Sequence, residues 1–220
     1  MPGAWELNKP SLVTLAIPFK GNVSMHFAIS LRGLDLPEYT NILTMNHYNI
    51  DIARNLLIEE ILKIQPNSKY ILFLDSDMIV PKDGVRKLLD RKVDVISGLY
   101  YSKQINGKAI AAWIFDKEKN AYVPIDNKQN SEIVQVDTVG LGFCLIKTEL
   151  FTKIQRPWFK YTHGEYDPMG EPLQQNTLSE DFYFFRKLEK IGIKPLVDMT
   201  VKCEHIGNCI IKDGNLELIK

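Results

Sequence analysis

The chain has 220 residues, of which 45% are hydrophobic and 25% charged, a composition that affords one sizeable core. Lysine plus arginine equals aspartate plus glutamate, 27 each, so the formal net charge is zero and the basic excess of a nucleic-acid binder is missing. The three cysteines, Cys144, Cys203 and Cys209, form no C-x-x-C pattern, which argues against a disulfide scaffold or a zinc knuckle. No charged-then-apolar leader opens the sequence, and no apolar run reaches transmembrane length. The expectation is a cytoplasmic protein, with peripheral membrane contact left open.

Residues 12–17 form a β-rich run stopped by Pro18 and read as a buried first strand. Residues 22–34 read as a helix ending at Gly33, and 41–45 as a second strand. The spacing of Ile52, Leu56, Ile58, Ile61 and Leu62 predicts a helix over 51–64, with Asn49 or Asp51 as cap and Pro66 beyond its end. The unbroken apolar run 70–74 suits a strand covered on both faces. Pro81 fits the first turn of a helix reaching Asp90, and 93–97 reads as a fourth strand. Strands alternating with helices argue a parallel-type sheet between two helical layers.

The second half reads differently. Residues 109–115 and 121–125 flank a polar turn and predict a hairpin. Further strands are expected at 133–139 and 142–146, with Cys144 as a small core residue. Residues 155–178 are irregular and rich in aromatics, in the manner of a functional loop. Ser179 would cap a helix running to Ile191, and a last strand over 196–201 precedes His205.

The chemistry concentrates where the third strand ends in Asp75-Ser76-Asp77. Two carboxylates one residue apart cost too much to bury unpaired, and they share a face. At the carboxyl end of a strand they would seat a hard divalent cation beside a phosphorylated substrate. The alternative is a solvated turn capping the next helix. Glu180 and Asp181 open a helix, where they serve either as general base or simply to offset the helix dipole. His205 is a candidate ligand for a manganese-type ion or a surface histidine, and His26, His47 and His163 read as surface residues, His163 within reach of a substrate. Arg54, beside Asn55, either reaches a phosphate or faces solvent. Trp158, Phe159, Tyr161 and Tyr166 suit sugar rings, or else pin their loop to the core.

In order and context these pieces resemble a glycosyltransferase of the GT-A fold, similar to family 2, from the first strand to about Gly207. The matching segments are Ala16-Ile-Pro18, Ile50-Asp-Ile-Ala-Arg-Asn55, Phe73-Leu-Asp-Ser-Asp-Met-Ile-Val80, Val139-Gly-Leu-Gly-Phe143, Ser179-Glu-Asp-Phe182 and Cys203-Glu-His-Ile-Gly207. The resemblance implies a central, mostly parallel sheet flanked by helices, with a smaller antiparallel hairpin region. It implies a single domain over 1–220, with a nucleotide-binding half at about 11–100 and an acceptor-side half at about 101–210.

It further implies a UDP- or GDP-sugar donor, a Mn²⁺ or Mg²⁺ ion, and a glycan, lipid-linked or protein acceptor. Asp77 and His205 would ligate the metal. Asp75 would contact it, its waters or the ribose. Pro18, Phe19, Arg54 and Ser76 would line the nucleotide or diphosphate site, and Gly140 and Gly142 would let the backbone pass close to the donor sugar or acceptor. Asp181, beside Glu180, would be the base of an inverting transfer, and a retaining mechanism stays open. The rival readings are a haloacid-dehalogenase-like phosphatase, which Ile79 and the position of the motif disfavour, a nucleotidyltransferase, for which no Gly-rich basic loop follows strand one, and a non-catalytic sugar-nucleotide or glycan-binding module.

Overall fold

The first strand, β1 (Val13–Phe19), is buried at every residue but the last, which is why its sequence is continuously apolar. The structure is a computed structural model that describes residues 11–103, 109–127, 131–163, 177–207, 209–213 and 215–218. After β1, Ser24 caps α1 (Met25–Arg32) by accepting the Phe27 N–H, so this helix begins later than its sequence suggested. Then come β2 (Asn41–Asn46), α2 (Ile50–Ile64), β3 (Tyr70–Leu74), the short β4 (Met78–Ile79), α3 (Gly84–Asp90) and β5 (Val95–Leu99). The expected hairpin is β6 (Ala112–Asp116) with β7 (Ala121–Pro124). Asp116 Oδ1 accepts the N–H groups of Glu118 and Lys119 in its turn, and Asn120 takes a left-handed φ of 46°.

The stretch expected as one strand over 133–139 is two, β8 (Ile133–Gln135) and β9 (Thr138–Val139). Asp137 between them accepts from the Phe115 N–H at 2.7 Å and from Lys194 at 2.6 Å, which turns the chain from one sheet to another. Next are β10 (Phe143–Lys147), α4 (Leu150–Lys153), β11 (Thr162–His163), β12 (Thr177–Leu178) and α5 (Glu180–Glu189). The chain closes with β13 (Leu196–Lys202), β14 (Glu204–Ile206), β15 (Cys209–Lys212) and β16 (Asn215–Leu218).

The main sheet has the order β2-β1-β3-β10-β5-β13-β8. The strands β2, β1, β3, β5 and β13 run one way, and β10 and β8 the other. The sheet is therefore mostly parallel, as expected, with β10 inserted antiparallel between β3 and β5. This matters for the site, because β10 delivers the Gly140–Gly142 segment to the end of β3. Smaller antiparallel sheets join β6 to β7 and β9, β4 to β14, β15 and β16, and β11 to β12.

Alternate residues feed two core layers, as a period of two requires. Ile71 and Phe73 of β3 pack with Leu57, Ile58 and Ile61 of α2 and with Phe184, Phe185 and Leu188 of α5. Leu72 and Leu74 pack with Phe27 of α1, Val85 and Leu88 of α3, and Phe143. Cys144 is buried in the first layer as an unpaired thiol.

Candidate functional site

At the carboxyl end of β3 the Asp75 N–H donates to the Gly142 carbonyl at 2.9 Å, and the Met78 N–H to the Asp75 carbonyl at 3.1 Å. The resulting turn sends the chain into β4, which pairs with β14 so that Met78 stands opposite His205. The Ile206 N–H donates to the Asp77 carbonyl at 2.7 Å, closing the same turn from the other side. Asp77 and His205, distant in sequence, are thereby held together by backbone pairing.

The two aspartates have different partners. Asp75 accepts from Nη2 of Arg54 at 2.9 and 3.0 Å, while Nη1 of Arg54 donates to Glu180. Arg54 is 2% exposed and its guanidinium lies 5.7 Å from the Phe73 ring. Burial opposes its charge, yet Asp75 and Glu180 raise its pKa and keep it charged. The resemblance implies Arg54 near the nucleotide or diphosphate; in the fold it is a buried cross-tie among α2, β3 and α5. Burial also raises the Asp75 carboxyl, the Arg54 charge offsets part of that, and the Asp77 charge adds to it. Burial first, and the Glu180 charge second, raise the Tyr161 hydroxyl.

Asp77 faces the other way. Its Oδ2 lies 3.5 Å from Nε2 of His205 and accepts from Lys103. Its Oδ1 is buried with no hydrogen-bond partner among the described residues. The Nδ1 of His205 donates to the Tyr101 carbonyl at 3.0 Å, which orients the ring and turns Nε2 toward Asp77. Burial works against the Asp77 charge, but His205 and Lys103 outweigh it and hold the carboxyl at about 2. A carboxylate oxygen without a partner among the described residues, beside an imidazole whose other nitrogen is held by a backbone carbonyl, fits a divalent cation. Among the described residues no three of His, Cys, Asp and Glu converge, so the protein would supply two ligands and the substrate and water the rest.

Asp181 opens α5 and is partly buried. Ser179 does not cap this helix with its side chain, as had been expected; its hydroxyl donates to Asp181 Oδ1, which also accepts the Phe182 N–H at 2.9 Å. Burial first, and Glu180 second, push the Asp181 carboxyl up to about 6. Of the two acids only Asp181 lacks a guanidinium partner, and its pKa suits a base that is ionised near neutrality yet accepts a proton readily.

Gly140 and Gly142 sit on the approach to β10. A Cβ on Gly140 would stand 2.1 Å from the Tyr100 hydroxyl, and one on Gly142 would stand 3.0 Å from it. That hydroxyl accepts the Gly142 N–H at 3.0 Å, and the ring packs edge-on against His205 at 5.5 Å. The glycines thus make room for Tyr100. Pro18 and Phe19 end β1 at the same edge of the sheet, Pro18 buried and Phe19 half-buried. Ser76 lies within the turn between the two aspartates.

In the aromatic loop, Trp158 and Phe159 belong to the core, and Tyr161 is 39% exposed. Tyr166 lies outside the described residues, and His163 falls in β11. Asn55 holds this loop: Oδ1 accepts the N–H groups of Trp158 and Phe159, and Nδ2 donates to the Phe159 carbonyl at 2.7 Å. Tyr100, Lys103 and this role of Asn55 carry no local sequence signal. Only the tandem Tyr100-Tyr101 at the end of an apolar strand hints that something polar is being reached there.

No family model matches the chain, and no curated protein matches it either. Among solved structures, A197 from STIV superimposes with a TM-score of 0.61 at 21% identity, over 94% of this chain and 96% of that one. GalNAc-T7, solved with UDP, GalNAc and Mn²⁺, superimposes with a TM-score of 0.51 at 13% identity, over 94% of this chain and 45% of that one. With the mixed α/β topology, these likenesses make the fold of this chain a GT-A-type α/β fold.

Proposed function

We propose that this chain is a glycosyltransferase that moves a sugar from a nucleotide-diphosphate donor to an acceptor hydroxyl. The observation that carries the reading is a convergence at one sheet edge of a GT-A-type fold: the Asp77–His205 pair and the base-tuned Asp181. Asp77 and His205 would hold a Mn²⁺ or Mg²⁺ ion. Such an ion would neutralise charge developing on the leaving diphosphate. Pro18, Phe19 and Ser76 would line the nucleotide side. That GalNAc-T7 was solved with UDP and Mn²⁺ supports a UDP- or GDP-sugar as donor.

Asp181 takes the proton of the acceptor hydroxyl through a carboxylate oxygen. The hydroxyl oxygen then attacks the anomeric carbon while the bond to the diphosphate oxygen breaks, which inverts the configuration. Arg54 would hold Asp75 and Glu180 in place without touching the reacting atoms. Tyr100 packs on His205 of the cation seat and feels the charges of both Asp75 and Asp181. The reading includes a single domain with the nucleotide side at about 11–100 and the acceptor side at about 101–210, and a glycan, lipid-linked or protein acceptor. Among the described residues no helix is long and apolar enough to cross a membrane.

The phosphatase alternative needs Asp75 free to attack phosphorus, whereas both its oxygens accept from Arg54. The deciding experiment incubates the protein with UDP- and GDP-sugars and measures divalent-dependent nucleoside diphosphate release. Release supports the transferase. Phosphate release from simple monoesters without it would favour the phosphatase, and tight donor binding without turnover would favour a binding module.

A further inference from the structure

Lys103 follows β5 by four residues, and its ammonium rests on Oδ2 of Asp77, the oxygen that Nε2 of His205 faces at 3.5 Å. We propose that Lys103 competes for the cation seat of Asp77 and His205 and thereby sets its affinity. This rests on the cation reading given above.

The argument is one of charge and place. A divalent ion bonded to a carboxylate oxygen sits within about 2.0–2.6 Å of it, a position that brings it against an ammonium hydrogen-bonded to that oxygen. An ion and an ammonium drawing on one oxygen repel each other, so each weakens the other's hold on Asp77. The side chains of Lys103 and Asp77 are 39% and 40% exposed, so water can receive the departing ammonium. Asp77 Oδ1 is not engaged by Lys103 and has no hydrogen-bond partner among the described residues, so the ammonium neutralises the carboxylate without satisfying it. A lysine is suited to this role, being a compact, strongly hydrated charge on a flexible stem with no planar fork to lock it.

The same segment also orients the second ligand, since the Tyr101 carbonyl fixes the His205 ring two residues before Lys103. Residues 101–103 therefore contribute opposing effects on one cation. The tyrosine carbonyl prepares a ligand, and the lysine occupies the other ligand until it is displaced.

The experiment is calorimetric titration of Mn²⁺ into the full chain at low ionic strength, without donor, for the wild type, Lys103→Gln, Lys103→Arg and Asp77→Asn. Thermal melts check that each variant is folded, which the exposure of Lys103 favours. Lys103→Gln is expected to bind Mn²⁺ about three- to tenfold more tightly than the wild type, the size of one exposed ion pair plus the repulsion of a neighbouring like charge. Lys103→Arg is expected to bind no more tightly than the wild type, and Asp77→Asn to lose binding. Equal or weaker binding by Lys103→Gln, with Asp77→Asn still losing it, overturns the competition while leaving the seat intact. Undiminished binding by Asp77→Asn, or no binding by any of the four, overturns the cation reading and the competition with it.

Discussion

Nη2 of Arg54 lies 2.9 Å from one oxygen of Asp75 and 3.0 Å from the other, so a single nitrogen holds the carboxylate that follows β3. Nη1 holds Glu180, which is 126 residues away in sequence. Arg54→Met would leave the buried Glu180 and the half-buried Asp75 without their cation. Removing one partner of a buried ion pair costs about 3–5 kcal/mol, and urea unfolding at neutral pH should show a loss of that order. Burial already raises the folded pKa of Asp75, and without the guanidinium the charge that offsets part of that rise is gone. Its penalty is therefore absent below the unfolded value of about 4 and grows as pH rises. Arg54→Lys should recover only part of the loss, because an ammonium lacks the fork that spans both partners. Unfolding curves that coincide for Arg54→Met and the wild type would refute the cross-tie.

Asp181 gives a pH dependence of the opposite practical value. Its carboxyl is raised to about 6, chiefly by burial. A carboxyl with a raised folded pKa contributes stability that is fully present below its unfolded value of about 4 and lost as pH rises through about 6. Asp181→Asn keeps a neutral side chain throughout. The variant should therefore be more stable than the wild type by about 1–3 kcal/mol above about pH 7, with no gain below about pH 4. Turnover should fall about 10²- to 10⁴-fold, as for loss of a general base. The wild-type rate should rise with pH through an apparent pKa near 6, and the variant should lack that limb. A more active or less stable variant at neutral pH would remove Asp181 from the role of base.

The cation seat is read from Asp77 and His205 separately. Asp77→Ala and His205→Ala should each remove divalent-dependent turnover, while Asp75 and Arg54 stay paired. Asp77 is 40% exposed on its side chain, so the unfolding midpoint should move little. Donor turnover by Asp77→Ala at the wild-type rate, with chelator present, would show that no cation acts there. His205→Gln is the more revealing variant, since its amide can still donate to the Tyr101 carbonyl but offers a poorer ligand. It should fold like the wild type and need more Mn²⁺ for half-maximal turnover by about 10- to 100-fold.

What the sequence showed was local, and what it hid was long-range. The run 70–74 ending in Asp75-Ser76-Asp77 reads as a strand feeding a site because five consecutive apolar residues can only be a buried strand or buried helix, and the flanks favour the strand. The α2 spacing and the 109–125 hairpin are equally short-range signals. That β10 would slip antiparallel between β3 and β5 is not written in either neighbour, because a continuously apolar strand suits parallel and antiparallel pairing alike. The same blindness split the labour of the acids imperfectly. Glu180 and Asp181 are adjacent in sequence, yet one points to Arg54 and the other to Ser179, a difference set by the helix start rather than by residue type. Lys103 was equally hidden, as one lysine among many until the fold carried it to Asp77.

The tightest coupling in the site is between Gly140 and Tyr100. A Cβ on Gly140 would meet the tyrosine oxygen at 2.1 Å and Cζ at 3.1 Å, in backbone that any residue can adopt, so the cost of Gly140→Ala is steric. Overpacking of this kind costs about 1–3 kcal/mol. Tyr100→Phe removes the clashing oxygen but leaves the Gly142 N–H without its acceptor, at a cost of about 1 kcal/mol. The double variant should then be more stable than the sum of the single effects by about 1 kcal/mol, since phenylalanine removes the 2.1 Å clash and leaves only the tight 3.1 Å contact with Cζ. Strict additivity would mean that Tyr100 moves aside freely. Because the Tyr100 ring packs on His205, Gly140→Ala alone should also weaken Mn²⁺ binding, and Tyr100→Phe should restore it in the double variant. A glycine with no part in the cation seat would show the stability change without the binding change.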